Sequence, residues 1–294
     1  MSSLYLDHFG LSLPPFSITP DPEFFFSGGS LIIEELLYAS LQREGIVLLT
    51  GEVGSGKTLL TRVLLSRLPD NVDTVYLPNP AFSRDEIIDV IGRDLGLTST
   101  GRGLESLQHE LIRRHTIGRQ VIVLIDEAHT MPGDAIEEVR RLSNLETDRC
   151  KLVQLILCGQ PELDALLATP SMRQVRDRVV YRFTLQKMTR SEASHYLNHR
   201  LRIAGWHEAP LFSAAGMQRL LNDANGRARR LNLIADKSLL AAYAEGKNQV
   251  SARHVGMAIG DVGTNFSSSL LMKHIWPAAT ALLLSATLIA WHFK

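Results

Sequence analysis

The stretch Ile46-Val-Leu-Leu-Thr-Gly-Glu-Val-Gly-Ser-Gly-Lys-Thr58 decides the fold. An apolar run, Ile46–Thr50, leads into Gly51. From there Gly51, Gly56, Lys57 and Thr58 fit the spacing G-x-x-x-x-G-K-[ST]. That pattern predicts a buried strand, a phosphate-binding loop and the first turn of a helix. Gly51, Gly54 and Gly56 let the backbone curl until successive N–H groups face phosphate oxygens, with Glu52, Val53 and Ser55 between them. The helix opening near Lys57 and Leu59 adds the positive end of its dipole. Lys57 is expected to reach the β- and γ-phosphates, and the Thr58 hydroxyl to ligate Mg²⁺. A glycine-rich turn without phosphate is the plain alternative, and the placing of Lys-Thr between strand and helix opposes it. The expected ligand is a nucleoside triphosphate.

Working outward, four more apolar runs follow: Val72–Leu77, Val121–Ile125, Leu152–Leu157 and Val179–Leu185. Helical spacing separates them at Leu31–Leu41, Leu59–Leu68, from the capping box Ser83-Arg-Asp-Glu86, and at Leu104–Ile117. Strands alternating with helices predict an α/β domain built on a parallel sheet covered on both faces. From Thr189 the strands stop. A second capping box, Thr189-Arg-Ser-Glu192, begins helical patterns at about 191–204, 213–224, 228–245 and 251–260, with Ser213 and Ser251 as N-caps. A small all-helical domain is therefore expected after the sheet.

The start of the chain, Phe9 to Phe26, is rich in proline and aromatics, and Pro14, Pro15, Pro20 and Pro22 forbid a long helix. Phe16 and Phe24–Phe26 either anchor an extended segment on the domain surface or line an adenine pocket; the two readings are compatible.

The third strand ends in Leu124-Ile-Asp-Glu-Ala-His129. An acidic pair at the carboxyl end of a buried strand, downstream of a phosphate loop, suits nucleotide hydrolysis. Asp126 would bind Mg²⁺ and Glu127 would polarise the attacking water as base. The alternative for Asp126 is an N-cap of the next helix. For His129 a supporting or structural role is expected. After the fourth strand, Gln160 is placed either to touch the γ-phosphate or lytic water, or to be a loop amide satisfied by backbone. Arg173, Arg176 and Arg178 precede the fifth strand. They are either a solvated face or hold an arginine finger for a neighbouring subunit, Arg178 before Arg176. Asn225-Gly-Arg-Ala-Arg-Arg-Leu-Asn232 opens the longest helix, from which Arg229 could lean over the nucleotide.

The bulk numbers set limits. The chain has 294 residues, and its 31 basic and 31 acidic residues give a formal net charge of zero. Neutrality argues against a nucleic-acid binder. Two cysteines, Cys150 and Cys158, make no disulfide framework, which fits a reducing compartment, and no ligand spacing for a metal surrounds them. Ile275–Trp291 is uncharged and matches the short end of the spanning range of about 17–25 residues. Trp276 and Trp291 lie where interfacial tryptophans are expected. A buried helix of the helical domain is the alternative, and the Ser-rich linker before it favours a membrane anchor. No domain is expected beyond it, so any wall contact would come from a partner.

Taken together, these motifs resemble an AAA+ ATPase. Phe9-Gly-Leu with Pro15-Phe and Pro20-Asp-Pro, Gly51-Glu-Val-Gly-Ser-Gly-Lys-Thr, Ile125-Asp-Glu-Ala, Asn144-Leu-Glu-Thr and Gly159-Gln-Pro-Glu-Leu resemble the general secretion pathway protein A (ExeA-like) family. Tyr5-Leu-Asp, Pro78-Asn-Pro80 and His199-Arg-Leu-Arg-Ile-Ala-Gly205 are similar to a branch associated with the MSHA type IV pilus. The resemblance covers about residues 4–260. It implies strand order 5-1-4-3-2, ATP as substrate, and a role in building envelope machinery. Lys57, Thr58, Asp126 and Glu127 match the family's nucleotide motifs. Arg229 matches its lid arginine, with Ala228 where the family usually has proline.

The organisation expected is therefore an N-terminal segment and helix (1–44), an ATPase core (45–187), a helical lid (188–262), a linker (263–272) and an anchor (273–294). The function expected is ATP hydrolysis at the inner membrane by a homo-oligomer serving pilus or secretion-assembly membrane proteins. A nucleic-acid-handling AAA+ protein, such as a transposition helper, and a non-hydrolysing ATP-switched scaffold are the alternatives.

Overall fold

The computed structural model describes residues 5–26, 28, 31–78, 83–97, 103–148 and 150–264. Five strands form its sheet: β1 (Ile46–Gly51), β2 (Val72–Leu77), β3 (Gln120–Ile125), β4 (Val153–Gly159) and β5 (Val179–Leu185). All pairings are parallel and the order is β2-β3-β4-β1-β5, which is the expected order read from the other edge.

The helices among the described residues are α1 (Leu6–Phe9), α2 (Ile32–Leu41), α3 (Lys57–Arg67), α4 (Arg84–Asp94), α5 (Leu104–Thr116) and α6 (Gly133–Ser143). They continue with α7 (Pro161–Leu167), α8 (Arg173–Arg176), α9 (Arg190–Ile203), α10 (Ala214–Ala224), α11 (Ala228–Ala244) and α12 (Ala252–Thr264). Ser83 N–H donates to Glu86 Oε2 at 2.7 Å and Thr189 N–H to Glu192 Oε2 at 2.7 Å, so both capping boxes form.

β1, β3 and β4 are buried along their whole length, because alternate residues serve two cores. Ile46, Leu48, Val123, Ile125, Leu155 and Leu157 face the core packed by α4 to α8. Val47, Leu49, Ile122, Leu124, Ile156 and Cys158 face α2 and α3. At its amino end the sheet is tied by charge. Asp73 of β2 accepts from Arg114 Nη1 (2.5 Å) and from Arg119 Nε (2.8 Å), while Arg114 also donates to Glu110 and to the Leu95 carbonyl.

The described chain divides into two compact units. One holds residues 18–203 and Asn225–Arg229; the other holds residues 5–17, Ala204–Ala224 and 230–264. This differs from expected boundaries at 44 and 187. α9 belongs with the sheet because Arg200 is buried with its guanidinium 4.5 Å over the Phe24 ring and donates to Tyr196 Oη at 2.9 Å. Residues 5–17 belong with the last helices: Ser12 N–H donates to the Ala204 carbonyl at 2.8 Å, and the Tyr5 hydroxyl donates to Asp236. Burial, with Asp236 beside it, raises the Tyr5 hydroxyl well above its ordinary range.

α12 continues to Thr264, past the expected lid boundary at 262. The rest of the expected linker, the anchor Ile275–Trp291, and Asn79, Pro80 and Thr98–Thr100 lie outside the described residues. Among the described residues no helix is long and apolar enough to cross a membrane.

Candidate nucleotide site

β1 delivers its last residue, Gly51, to the loop, and α3 begins at Lys57. Two glycines make the curl possible: Gly54 and Gly56 have φ of 74° and 101°, in the left-handed region where a side chain is strained. Lys57 is buried, and its Nζ donates to the carbonyls of Gly51 (2.7 Å) and Glu52 (3.1 Å). Burial lowers its pKa, opposed by the charges of Glu127 and Asp126. Thr58 and Leu59 fall in the first turn of α3, Val53 is exposed, and Ser55 Oγ is buried with no hydrogen-bond partner among the described residues.

β3 brings the acidic pair to this loop. Asp126 Oδ2 accepts from Thr58 Oγ1 and from Tyr76 Oη, each at 3.2 Å, while Oδ1 accepts from Glu127 N–H at 2.9 Å. An N-cap would take an N–H two or three residues on, so Asp126 is aimed at the loop instead. A hydroxyl and a carboxylate in contact are the hard oxygen donors that Mg²⁺ takes, so Thr58 and Asp126 fit the ion that the loop implies. Tyr76 was missed in the sequence. Burial, then the charge of Asp126, pushes its hydroxyl up to about 12. Its signal is a phenol one residue before the end of β2, paired in register with Leu124, two residues before Asp126.

Glu127 is held at a left-handed φ of 53°, which a non-glycine residue adopts at a cost. Gln160 Nε2 lies 3.4 Å from Glu127 Oε2 and 2.9 Å from His129 Nε2. Gln160 is therefore not a loop amide satisfied by backbone, because its side chain ties the end of β4 to the acidic pair.

Arg229 comes to the same place. Asn225 and Gly226 both have positive φ, 48° and 71°, and Met188 N–H donates to the Gly226 carbonyl at 3.1 Å. This turn sets Arg229 N–H on the Gly54 carbonyl at 3.3 Å. A Cβ on Gly54 would lie 2.8 Å from Arg229 Cβ, so the loop and the arginine fit only with glycine there.

The other arginines stand elsewhere. The Arg178 carbonyl accepts from Ile46 N–H at 2.9 Å, at the start of β1, whereas the phosphate loop follows its end. Six residues of strand lie between, about 20 Å at ~3.3 Å per residue. Arg178 and Arg173 are exposed, Arg173 Nε lies 3.9 Å from Asp177, and Arg176 Nη1 donates to the Ala168 carbonyl at 3.4 Å.

A cavity of about 260 Å³ opens beside the loop, lined by Phe25, Phe26, Ile32, Ser55, Gly56, Leu59, Leu185, Tyr196 and Ala228. The aromatic segment thus splits by position. Phe25 and Phe26 line the cavity, Phe24 packs under Arg200, and Phe16 meets Phe212, ring centres 6.2 Å apart, in the helical unit.

A family model described as an AAA domain matches residues 40–167. Over 304 aligned positions the chain is 35% identical to general secretion pathway protein A of Aeromonas hydrophila, covering 99% of this chain and 54% of that protein. The chain thus spans about half the length of that relative. Solved structures share the fold at low identity. Cdc6p from Pyrobaculum aerophilum aligns with a TM-score of 0.64 at 22% identity, covering 83% of this chain and 69% of that one. The Aeropyrum pernix ORC2 protein gives 0.63 at 19%, covering 84% and 71%. The Thermotoga maritima RuvB Holliday junction branch migration motor gives 0.51 at 14%, covering 79% and 69%. With residues 40–167 matching an AAA domain and 99% of the chain aligned, the chain resembles the general secretion pathway protein A family.

Proposed function

We infer that the chain binds ATP with Mg²⁺ and hydrolyses it, as a membrane-anchored assembly factor for a type II-like secretion or MSHA-like type IV pilus apparatus. The meeting of Lys57, Thr58, Asp126, Glu127 and Gln160 at the carboxyl ends of β1, β3 and β4 carries the hydrolysis reading. An apolar cavity next to a phosphate loop suits a purine base. Lys57 and the amides of Gly51 to Thr58 bind the phosphates, and Thr58 and Asp126 hold the metal. When bound, Mg²⁺ neutralises charge developing on phosphate oxygens. Glu127 takes the proton of the attacking water, and Gln160 and Arg229 contact the terminal phosphate.

Arg178 and Arg176 serve a neighbouring copy, a reading supported by their place at the far end of β1 from their own loop. The active form is then a homo-oligomer. The assembly role rests on the likeness to a general secretion protein. Anchoring in the inner membrane by a single pass, with the ATPase units on the cytoplasmic side, rests on the composition of Ile275–Trp291.

The test is phosphate release from ATP by the full-length chain in detergent or lipid, with Lys57→Ala beside it. Turnover in the native chain that vanishes in the variant supports the reading. Equal release from both would overturn it.

A further inference from the structure

His129 follows the acidic pair by two residues, and nothing above gives its imidazole a task. It lies on the 3-10 turn Ala128–Thr130, which packs against β4. Three polar contacts surround the ring. Its Nε2 is 2.9 Å from Gln160 Nε2 and 3.7 Å from Glu127 Oε2, and its Nδ1 is 3.5 Å from Gln160 N.

These contacts ask for opposite tautomers. An amide nitrogen only donates, so the 2.9 Å contact needs a bare Nε2 and a proton on Nδ1. The backbone N–H of Gln160 needs a bare Nδ1 instead. Satisfying the backbone would turn the Gln160 amide over and set its oxygen 3.4 Å from the ionised Glu127 oxygen, acceptor against acceptor. A 3.5 Å contact is at the limit of a hydrogen bond, so the short contact and the charge decide. The imidazole accepts at Nε2. The Gln160 amide then gives its short bond to His129, and the hydrogen 3.4 Å from Glu127 is the one that a phosphate oxygen can take.

We propose that His129 is a positioning residue that keeps the Gln160 amide turned nitrogen-first toward Glu127 and the reacting phosphate. This rests on the hydrolysis reading above. Without an acceptor at the Nε2 position the amide rotates, and the turned-over state points an oxygen at Glu127 and at phosphate oxygens, where it repels.

His129→Phe keeps a ring but loses the acceptor, whereas His129→Gln restores an oxygen close to Nε2. In the full-length chain His129→Phe is expected to lower kcat about three- to tenfold at unchanged KM for ATP, the worth of one hydrogen bond. His129→Gln is expected to stay within about twofold of native. Native kcat in His129→Phe, or an equal loss in both variants, would overturn the proposal.

A second readout needs no turnover. Nitrogen-15 NMR of the full-length chain, at a pH where the ring is neutral, is expected to show His129 protonated at Nδ1, and Gln160→Leu to abolish that preference. A ring protonated at Nε2 in the native chain would sink the contact itself. A native chain that hydrolyses no ATP would instead defeat the hydrolysis reading, and with it the catalytic role, while the tautomer still decides whether His129 orients Gln160.

Discussion

The two ends of the sheet handle charge in opposite ways. At the amino end Asp73 is gripped by two arginines at 2.5–2.8 Å, and its pKa is held low by the Arg119 hydrogen bond first and then by Arg114, against the effect of burial. Glu110 is likewise lowered, by Arg113 and then Arg114. At the carboxyl end the charges are satisfied by neutral partners: Lys57 by carbonyls, Asp126 by two hydroxyls at 3.2 Å and the Glu127 N–H at 2.9 Å, and Glu127 by one amide at 3.4 Å. Paired charges that accept short bonds from arginine stabilise the fold. Charges held by replaceable neutral groups are free to meet a ligand.

Substitutions sharpen or break that contrast. The largest effect is expected from Arg178→Ala, which should lower turnover about a thousandfold if a neighbour uses it. Mixing it with Lys57→Ala chains should restore part of the activity, because each supplies what the other lacks. Mixtures no more active than either variant alone would put Arg178 back among solvated surface residues. Gly54→Ala follows, at about 2–3 kcal/mol of lost stability, from the left-handed φ and the approach to Arg229 Cβ. Denaturant unfolding measures it, and native stability would mean that Arg229 does not rest on Gly54.

Asp73→Asn should cost about 2 kcal/mol of stability while leaving ATP turnover at the native value. Its pH signature has a definite sign. The folded pKa lies below the unfolded one, so the Asp73 contribution is complete above about pH 4 and fades as pH falls through the folded value. The variant should lose less stability than the native chain on acidification; parallel pH curves would refute this. The smallest effect belongs to Tyr76→Phe, at about 1 kcal/mol or less, read as a shift of up to about fivefold in the Mg²⁺ concentration for half-maximal activity. An unchanged Mg²⁺ dependence would leave Tyr76 a packing residue.

Much of the frame is legible in the sequence, because buried parallel strands are continuous apolar runs and a phosphate loop has a fixed spacing. β1, β3 and β4 are of this kind, and the capping boxes at Ser83 and Thr189 fix two helix starts to the residue. Strand order came with the resemblance, since apolar runs alone do not say which strands are neighbours. What was not legible depends on contacts between distant residues. Tyr76 looks like any strand aromatic until β2 pairs with β3. Phe16 and Phe25 are alike by composition, yet one packs on Phe212 and the other lines the cavity. α6 is different: Ile136, Val139 and Leu142 recur at helical spacing between Glu137, Glu138, Arg140 and Arg141, an amphipathic signal that was legible and passed over. Asn225-Gly226 is a turn by its dipeptide, but only its docking on Met188 explains how Arg229 comes to the loop.

Glu127 is expected to act as base in a site that binds ATP without it. Paired measurements on the full-length Glu127→Gln chain, ATP affinity by fluorescent-nucleotide titration and phosphate release, test it most directly. Affinity within about threefold of native with turnover reduced about 10²–10⁴-fold is the expected result. Native turnover in Glu127→Gln, with affinity intact, would remove Glu127 from the role of base.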